Sequence, residues 1–194
     1  MLAADNAYLF TLIQWPDEED IPGFKATMLT YLNQLVNLSY EFISLLAEAF
    51  GLPSDALSVF YDAAEDMHHR GKIVKYPARD LVSSDQGVGP HFDAGFLTFL
   101  LQASPHPGLQ VQNLAGEWID APPLPGTFVV NIGKGLEAVT QGLAKATSHR
   151  VLSPPSGSTA RYSVPLFQSI SQRVRLTDHI LECIVLSLDT AHIY

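Results

Sequence analysis

Two histidines and one aspartate carry the chemistry that this chain advertises: His91-Phe92-Asp93, and then His149 within Ser148-His149-Arg150-Val151. Two imidazoles and a carboxylate suit a non-haem Fe(II) facial triad, in which three protein ligands leave coordination positions open on the other face. Further on, Arg161-Tyr162-Ser163 offers a guanidinium and a hydroxyl suited to an anionic co-substrate. The combination points to an iron enzyme that uses dioxygen.

Strand geometry supports both groupings. Side chains two apart on an extended strand share a face, so His91 and Asp93 can grip one ion while Phe92 looks the other way. Arg161 and Ser163 repeat the pattern around Tyr162. Their pair can hold one carboxylate through a planar fork and a third hydrogen bond. His-x-Asp triplets are common, so this one has weight only with its surroundings.

Those surroundings read as a helical portion followed by strands. Between about Phe24 and Phe50, Met28, Leu32, Leu35, Phe42, Leu46 and Ala49 recur at helical spacing, and Gly51 with Pro53 supplies a stop. Ser54 and Asp55 are positioned to open a second, shorter helix through about Asp66. From Lys72 onward, short apolar runs between Gly, Pro, Ser and Asp predict strands at 72–76, 88–92, 96–101, 109–112, 117–120, 127–131, 148–152 and 161–168. Eight is the number that a double-sheet jelly roll requires, and such a roll closes over a pocket. The loops 103–108 and 153–158 belong at the barrel ends, and 133–142 reads as a helix between the sixth and seventh strands. The expected organisation is therefore mainly β with flanking helices: a helical portion, 1–70, packing on a jelly-roll core, 71–180, with a tail at 181–194. No internal repeat or low-complexity tract interrupts it.

Composition bounds the partners. At 194 residues and 47% hydrophobic content the chain can build a real core. Its formal net charge of −9 argues against a nucleic-acid surface, which needs clustered Lys and Arg. Cys183 is the single cysteine, which reads as an ordinary buried thiol and suggests a reducing compartment. Neither a leader-like start nor an apolar run of about 18 residues is present, so a cytoplasmic protein with no membrane span is expected.

The remaining histidines are read as structural. His68 and His69 adjoin Arg70 at an expected helix end, where imidazoles meet exposed carbonyls. His106 lies between prolines, and His179 and His192 fall near the end of the chain. The aromatic set Phe92, Phe96, Phe99, Phe128, Tyr162 and Phe167 reads as jelly-roll core rather than substrate cage.

From Gly23 to about Asp178 the chain resembles the isopenicillin N synthase-like branch of the 2-oxoglutarate/Fe(II)-dependent oxygenases. The resemblance rests on ordered motifs: Val88-Gly89-Pro90-His91-Phe92-Asp93, Gly95-Phe96-Leu97-Thr98-Phe99-Leu100-Leu101-Gln102, Gly108-Leu109-Gln110-Val111, Gly126-Thr127-Phe128-Val129-Val130-Asn131-Ile132-Gly133, Ser148-His149-Arg150-Val151 and Arg161-Tyr162-Ser163-Val164-Pro165. It implies that His91, Asp93 and His149 bind Fe(II), that Arg161 and Ser163 bind the far carboxylate of 2-oxoglutarate, and that Tyr76 helps to hold this co-substrate. It also implies the reaction, in which 2-oxoglutarate and dioxygen are consumed, succinate and CO2 are released, and a C–H bond of a small organic substrate is oxidised.

Several positions depart from the family pattern. Val74 stands where many relatives have Asn, and Lys134 where an Asp is common. The family has a further N-terminal segment, relative to which this chain begins downstream at about Trp15-Pro16, and the run from Glu182 to Tyr194 does not look like the family's C-terminal region. The expectation is a short form or a truncation, in which exposed apolar surface favours self-association or a covering partner. Two other readings stay open: an oxidase of the isopenicillin N synthase type that uses no keto acid, and a shortened metal-binding scaffold without turnover.

Overall fold

The computed structural model describes residues 15–78 and 86–183. Most of the expected tail, including His192, lies outside the described residues. The first regular element is α1 (Phe24–Ala49). It ends as a helix does when glycine follows it: Gly51, at φ 72°, donates to the Glu48 carbonyl, and Leu52 reaches back to Ala47. Leu35, Ser39, Ile43 and Ala47, four residues apart, form the most buried stripe. The expected face is thus rotated slightly. Ala49 is exposed, and Ser39 is buried because its hydroxyl is satisfied, donating to the Val36 carbonyl and accepting from Gln168 Nε2.

The expected second helix does not form. Residues 54–66 run through turns and two single 3-10 turns, Ser58–Phe60 and Ala64–Asp66. Leu57 and Phe60, three apart, are both fully buried, and the Phe60 carbonyl accepts the Ser171 N–H at 2.8 Å. This long-range bond takes an acceptor that a continuing α-helix would need.

Among the described residues nine strands follow rather than eight: β1 (Arg70–Gly71), β2 (Val74–Tyr76), β3 (Gln86–His91), β4 (Leu97–Gln102), β5 (Leu109–Gln112), β6 (Trp118–Asp120), β7 (Val129–Ile132), β8 (His149–Leu152) and β9 (Arg161–Gln168). The run expected at 72–76 forms only β2, at 74–76, and the additional strand is β1 just before it; both are antiparallel to β9. One sheet has the order β1-β9-β4-β7 with β2 also on β9, and the other has β3-β8-β5-β6. Every pairing among them is antiparallel, the jelly-roll arrangement. The expected 133–142 helix is shorter, α2 (Lys134–Val139), because Gln141 at φ 52° and Gly142 at φ 83° leave the helical region.

Alternation along β4 and β9 gives the larger sheet two different faces. Leu97, Phe99 and Leu166 join α1, Phe60 and Phe96 in the main core, with Phe42 edge-on to Phe99 at 5.7 Å. Each such buried aromatic contributes roughly 1.5–3 kcal/mol. Thr98, Leu100, Ser163 and Pro165 point instead into the space between the sheets. The aromatic expectation holds for Phe96 and Phe99 but not throughout: Phe92 and Tyr162 are largely exposed, and Phe167 lines that space. No helix among the described residues is long and apolar enough to cross a membrane.

Candidate metal and co-substrate site

A bulge aims the first histidine. In β3, Val88 pairs with Val151 and His91 with His149, so three steps on one strand match two on the other. Pro90, which has no N–H for the ladder, falls inside this irregular stretch. An odd spacing would send Val88 and His91 to opposite faces. The extra residue returns both to the inter-sheet cavity.

Asp93 lies beyond the end of β3, so strand alternation alone does not place it. Its loop is held from the main chain: Lys134 N–H donates to the Asp93 carbonyl at 2.8 Å and Gly135 N–H to that of Ala94 at 3.0 Å. Close approach is needed there, since a Cβ on Gly133 would overlap the Gly95 carbonyl oxygen. The carboxylate is oriented separately, Thr98 Oγ1 donating to Oδ2 at 2.6 Å and Asn131 Nδ2 to the same oxygen at 2.8 Å. Oδ1 stays available.

These placements bring His91, Asp93 and His149 together. His91 Nε2 lies 3.9 Å from Asp93 Oδ1, His149 Nε2 lies 3.8 Å from Oδ2, and one ligand atom from each residue falls within 4.8 Å of the others. Each imidazole turns Nδ1 to a backbone carbonyl, His91 to Gly89 at 2.8 Å and His149 to Thr147 at 3.1 Å. Donation from Nδ1 sets the tautomer, leaving the Nε2 lone pair free for a metal. His149 and Asp93 are each only 9% exposed, whereas His91 faces the opening.

At the other end of the space, Tyr76 and Arg161 are direct partners across β2 and β9, as are Val74 and Ser163. Arg161 is 1% exposed, with its guanidinium carbon 5.1 Å from the centre of the Tyr76 ring. Nη2 donates to Gln102 Oε1 at 3.0 Å, but Nε and Nη1 have no acceptor among the described residues. Burial pulls this guanidinium below its ordinary range, opposed in part by the Tyr76 hydroxyl. Buried donors without acceptors are costly, so the site calls for an anion. A cavity of about 190 Å³ runs past His91, Asp93 and His149 to Ser163 and Tyr76.

Sequence comparison places this arrangement in a family. The profile of the 2OG-Fe(II) oxygenase superfamily matches residues 53–170. The chain belongs to that superfamily. It is 51% identical over 179 residues to the 2-oxoglutarate-dependent dioxygenase frbJ of Dothideomycetidae sp. (strain 11243), covering 88% of this chain and 47% of that protein. It is 38% identical to a 2-oxoglutarate-dependent dioxygenase of Gibberella zeae, covering 87% and 47%. Among solved structures, a full-length Neurospora crassa protein in complex with alpha-KG superposes with a TM-score of 0.73 at 30% identity, over 82% of this chain and 51% of that one. The chain thus spans about half the length of the relatives it matches.

For a member of this superfamily, the residues present fit both expected groups. The donor set of two imidazoles and one carboxylate suits Fe(II), and Arg161 Nε and Nη1, without acceptors among the described residues, suit the carboxylate of 2-oxoglutarate. Five of the six expected residues line the one cavity, and the sixth, Arg161, is buried against Tyr76 at its end. Three further residues escaped the sequence reading: Thr98 and Asn131 on Asp93, and Gln102 on Arg161. Thr98 and Gln102 are four apart on β4, so two-residue alternation already put them on one face.

The other described histidines sit apart from it. His69 accepts the Ser169 N–H at Nδ1, 3.0 Å, so its Nε2 carries the proton that faces Tyr40 Oη at 2.8 Å. It bridges to backbone N–H and tyrosine rather than to helix-end carbonyls. Burial, with His68 beside it, lowers its pKa to about 4. His106 Nε2 pairs with Thr159 Oγ1, and His179 packs edge-on to Phe60.

Proposed function

We propose that this chain carries the Fe(II)- and 2-oxoglutarate-binding core of a dioxygenase that oxidises a C–H bond of a small organic molecule, releasing succinate and CO2. The observation that carries the reading is that two guanidinium nitrogens of buried Arg161, Nε and Nη1, have no acceptor among the described residues, beside the Tyr76 end of the cavity that His91, Asp93 and His149 line. In this reading His91 Nε2, Asp93 Oδ1 and His149 Nε2 hold the iron. Arg161 and Ser163 hold the distal carboxylate of 2-oxoglutarate, with the Tyr76 ring packed on the guanidinium. The bound iron supplies activation of dioxygen at the expense of the keto acid. The protein's part is to orient the reactants and to keep water from the apolar walls formed by Val88, Leu100, Leu109 and Val151.

A small-molecule substrate is supported by the Neurospora crassa protein, solved with alpha-KG and thymine, and by JOX2, solved with 2OG, Fe and JA. The motifs favour the isopenicillin N synthase-like branch within the superfamily. The helical portion 1–70, the barrel 71–180 and the tail 181–194 are the proposed divisions. A cytoplasmic location and no nucleic-acid partner are part of the proposal, in keeping with the single cysteine and the net charge of −9. Self-association or a covering partner is also part of the proposal, and a monodisperse monomer in light scattering at micromolar concentration would contradict it.

Oxygen consumption by the iron-loaded protein tests the central reading. Uptake that requires 2-oxoglutarate is the expected result. Uptake with an organic substrate alone would select an oxidase, and none at all with iron bound would select an inactive scaffold.

A further inference from the structure

Lys72 lies in the short break between β1 and β2, and the same two-residue alternation that turns Val74 and Tyr76 inward turns Lys72 toward the cavity they line. Its backbone is fixed there, because Lys72 N–H donates to the Pro165 carbonyl at 3.1 Å. The ammonium rests 5.6 Å from the centre of the Phe167 ring, itself a cavity wall. Lys72 is the one lysine or arginine among the described residues that line this space. Asp93, the carboxylate lining it, gives Oδ2 to Thr98 and Asn131 and, in the proposed function, Oδ1 to the metal. A positive charge therefore stands at the solvent end of an otherwise apolar wall.

This charge is separate from the one at the buried end. Tyr76 pairs with Arg161 and Val74 with Ser163, which puts Lys72 level with Pro165. Four residues of strand, about 13 Å, separate that level from Arg161. One carboxylate cannot serve both. A co-substrate carboxylate held by Arg161 leaves Lys72 for another anion, presented where its ammonium lies, beside Phe167, the β9 partner of Thr98.

From this geometry we infer that Lys72 selects the substrate class: the molecule oxidised here carries an anionic group, a carboxylate or an equivalent oxyanion, on an apolar body that packs against Phe167 and Leu100. The inference rests on the function proposed above and specifies its substrate. Lysine suits the task, since its flexible stem can follow a ligand while the ammonium keeps three donors. Phe167 supports the cation without neutralising it.

The test compares hexanoate with hexanamide, probes of matched shape that differ in charge. Each is titrated into anaerobic protein carrying Mn(II) and saturating 2-oxoglutarate, and binding is read from paramagnetic broadening of the probe's proton signals. Hexanoate is expected to bind about tenfold more tightly than hexanamide, the effect of one charge-assisted hydrogen bond at a partly exposed site. Lys72→Met should abolish this preference, Lys72→Arg should retain most of it, and hexanamide and 2-oxoglutarate affinities should stay unchanged in both. Equal broadening by the two probes, broadening by neither, or a preference that survives Lys72→Met would overturn the inference. So would a matching loss of 2-oxoglutarate affinity in Lys72→Met, which would give Lys72 to the co-substrate. If 2-oxoglutarate does not bind the unmutated protein, the proposed function fails, and the same probe comparison on Mn(II) alone still tests Lys72.

Discussion

Thr98 holds one oxygen of Asp93: its hydroxyl donates to Oδ2 at 2.6 Å, and Asn131 donates to the same atom from the neighbouring strand. The two bonds leave Oδ1 as the ligand atom and fix the carboxylate before any metal arrives. Hydrogen-bond partners of this kind typically change metal affinity about 10- to 100-fold when removed. Thr98→Val, which keeps the shape and loses the hydroxyl, is therefore expected to weaken Mn(II) binding within that range, and Thr98→Ser to restore it. Calorimetric titration checks this. Equal affinity in Thr98→Val would show that Asp93 needs no such support.

The ligand set makes a stricter prediction. Replacing His91, Asp93 or His149 by Ala removes one of three protein ligands, so stoichiometric Fe(II) binding should be lost in each variant. His68→Ala and His106→Ala should bind normally, since neither side chain reaches the cluster. Full-affinity iron in all three ligand variants would refute the site.

His69 predicts how stability depends on pH. Its folded pKa is about 4, below the ordinary histidine value, because burial and His68 disfavour the charged form. The unfolded chain therefore binds this proton more readily. The stabilisation from neutral His69 is complete above about pH 6.5 and is lost as pH falls toward 4. Protonation would also put a donor at Nδ1, against the Ser169 N–H. The melting temperature of the protein should fall over that window, and His69→Gln should flatten this part of the profile. An identical slope in the variant would remove His69 as the cause.

What could be read from the sequence divides along physical lines. Strand alternation and turn residues made the jelly roll and the Arg161 and Ser163 pair visible, because a period of two is local. For Asp93, strand alternation is an incomplete reason. Its partnership with His91 depends on a bulge near Pro90 and on main-chain bonds from Lys134 and Gly135, which join distant segments. The absent second helix has a similar cause, since Phe60 gives its carbonyl to Ser171. Ser39 was invisible as a core residue because Gln168, its partner, lies on the last strand.

The most direct test of the account is calorimetric titration of 2-oxoglutarate into anaerobic Mn(II)-loaded protein, with Arg161 varied. Losing one partner of a desolvated charge pair costs about 2–5 kcal/mol, so Arg161→Ala should weaken binding at least about thirtyfold. Ser163→Ala should cost about 1–2 kcal/mol. Arg161→Lys should recover only part of the loss, because a point charge cannot form the planar fork. Mn(II) affinity should be the same in all three variants. Binding that is lost with Arg161→Ala while the metal stays is the result this account predicts, and unchanged 2-oxoglutarate affinity in that variant would contradict it.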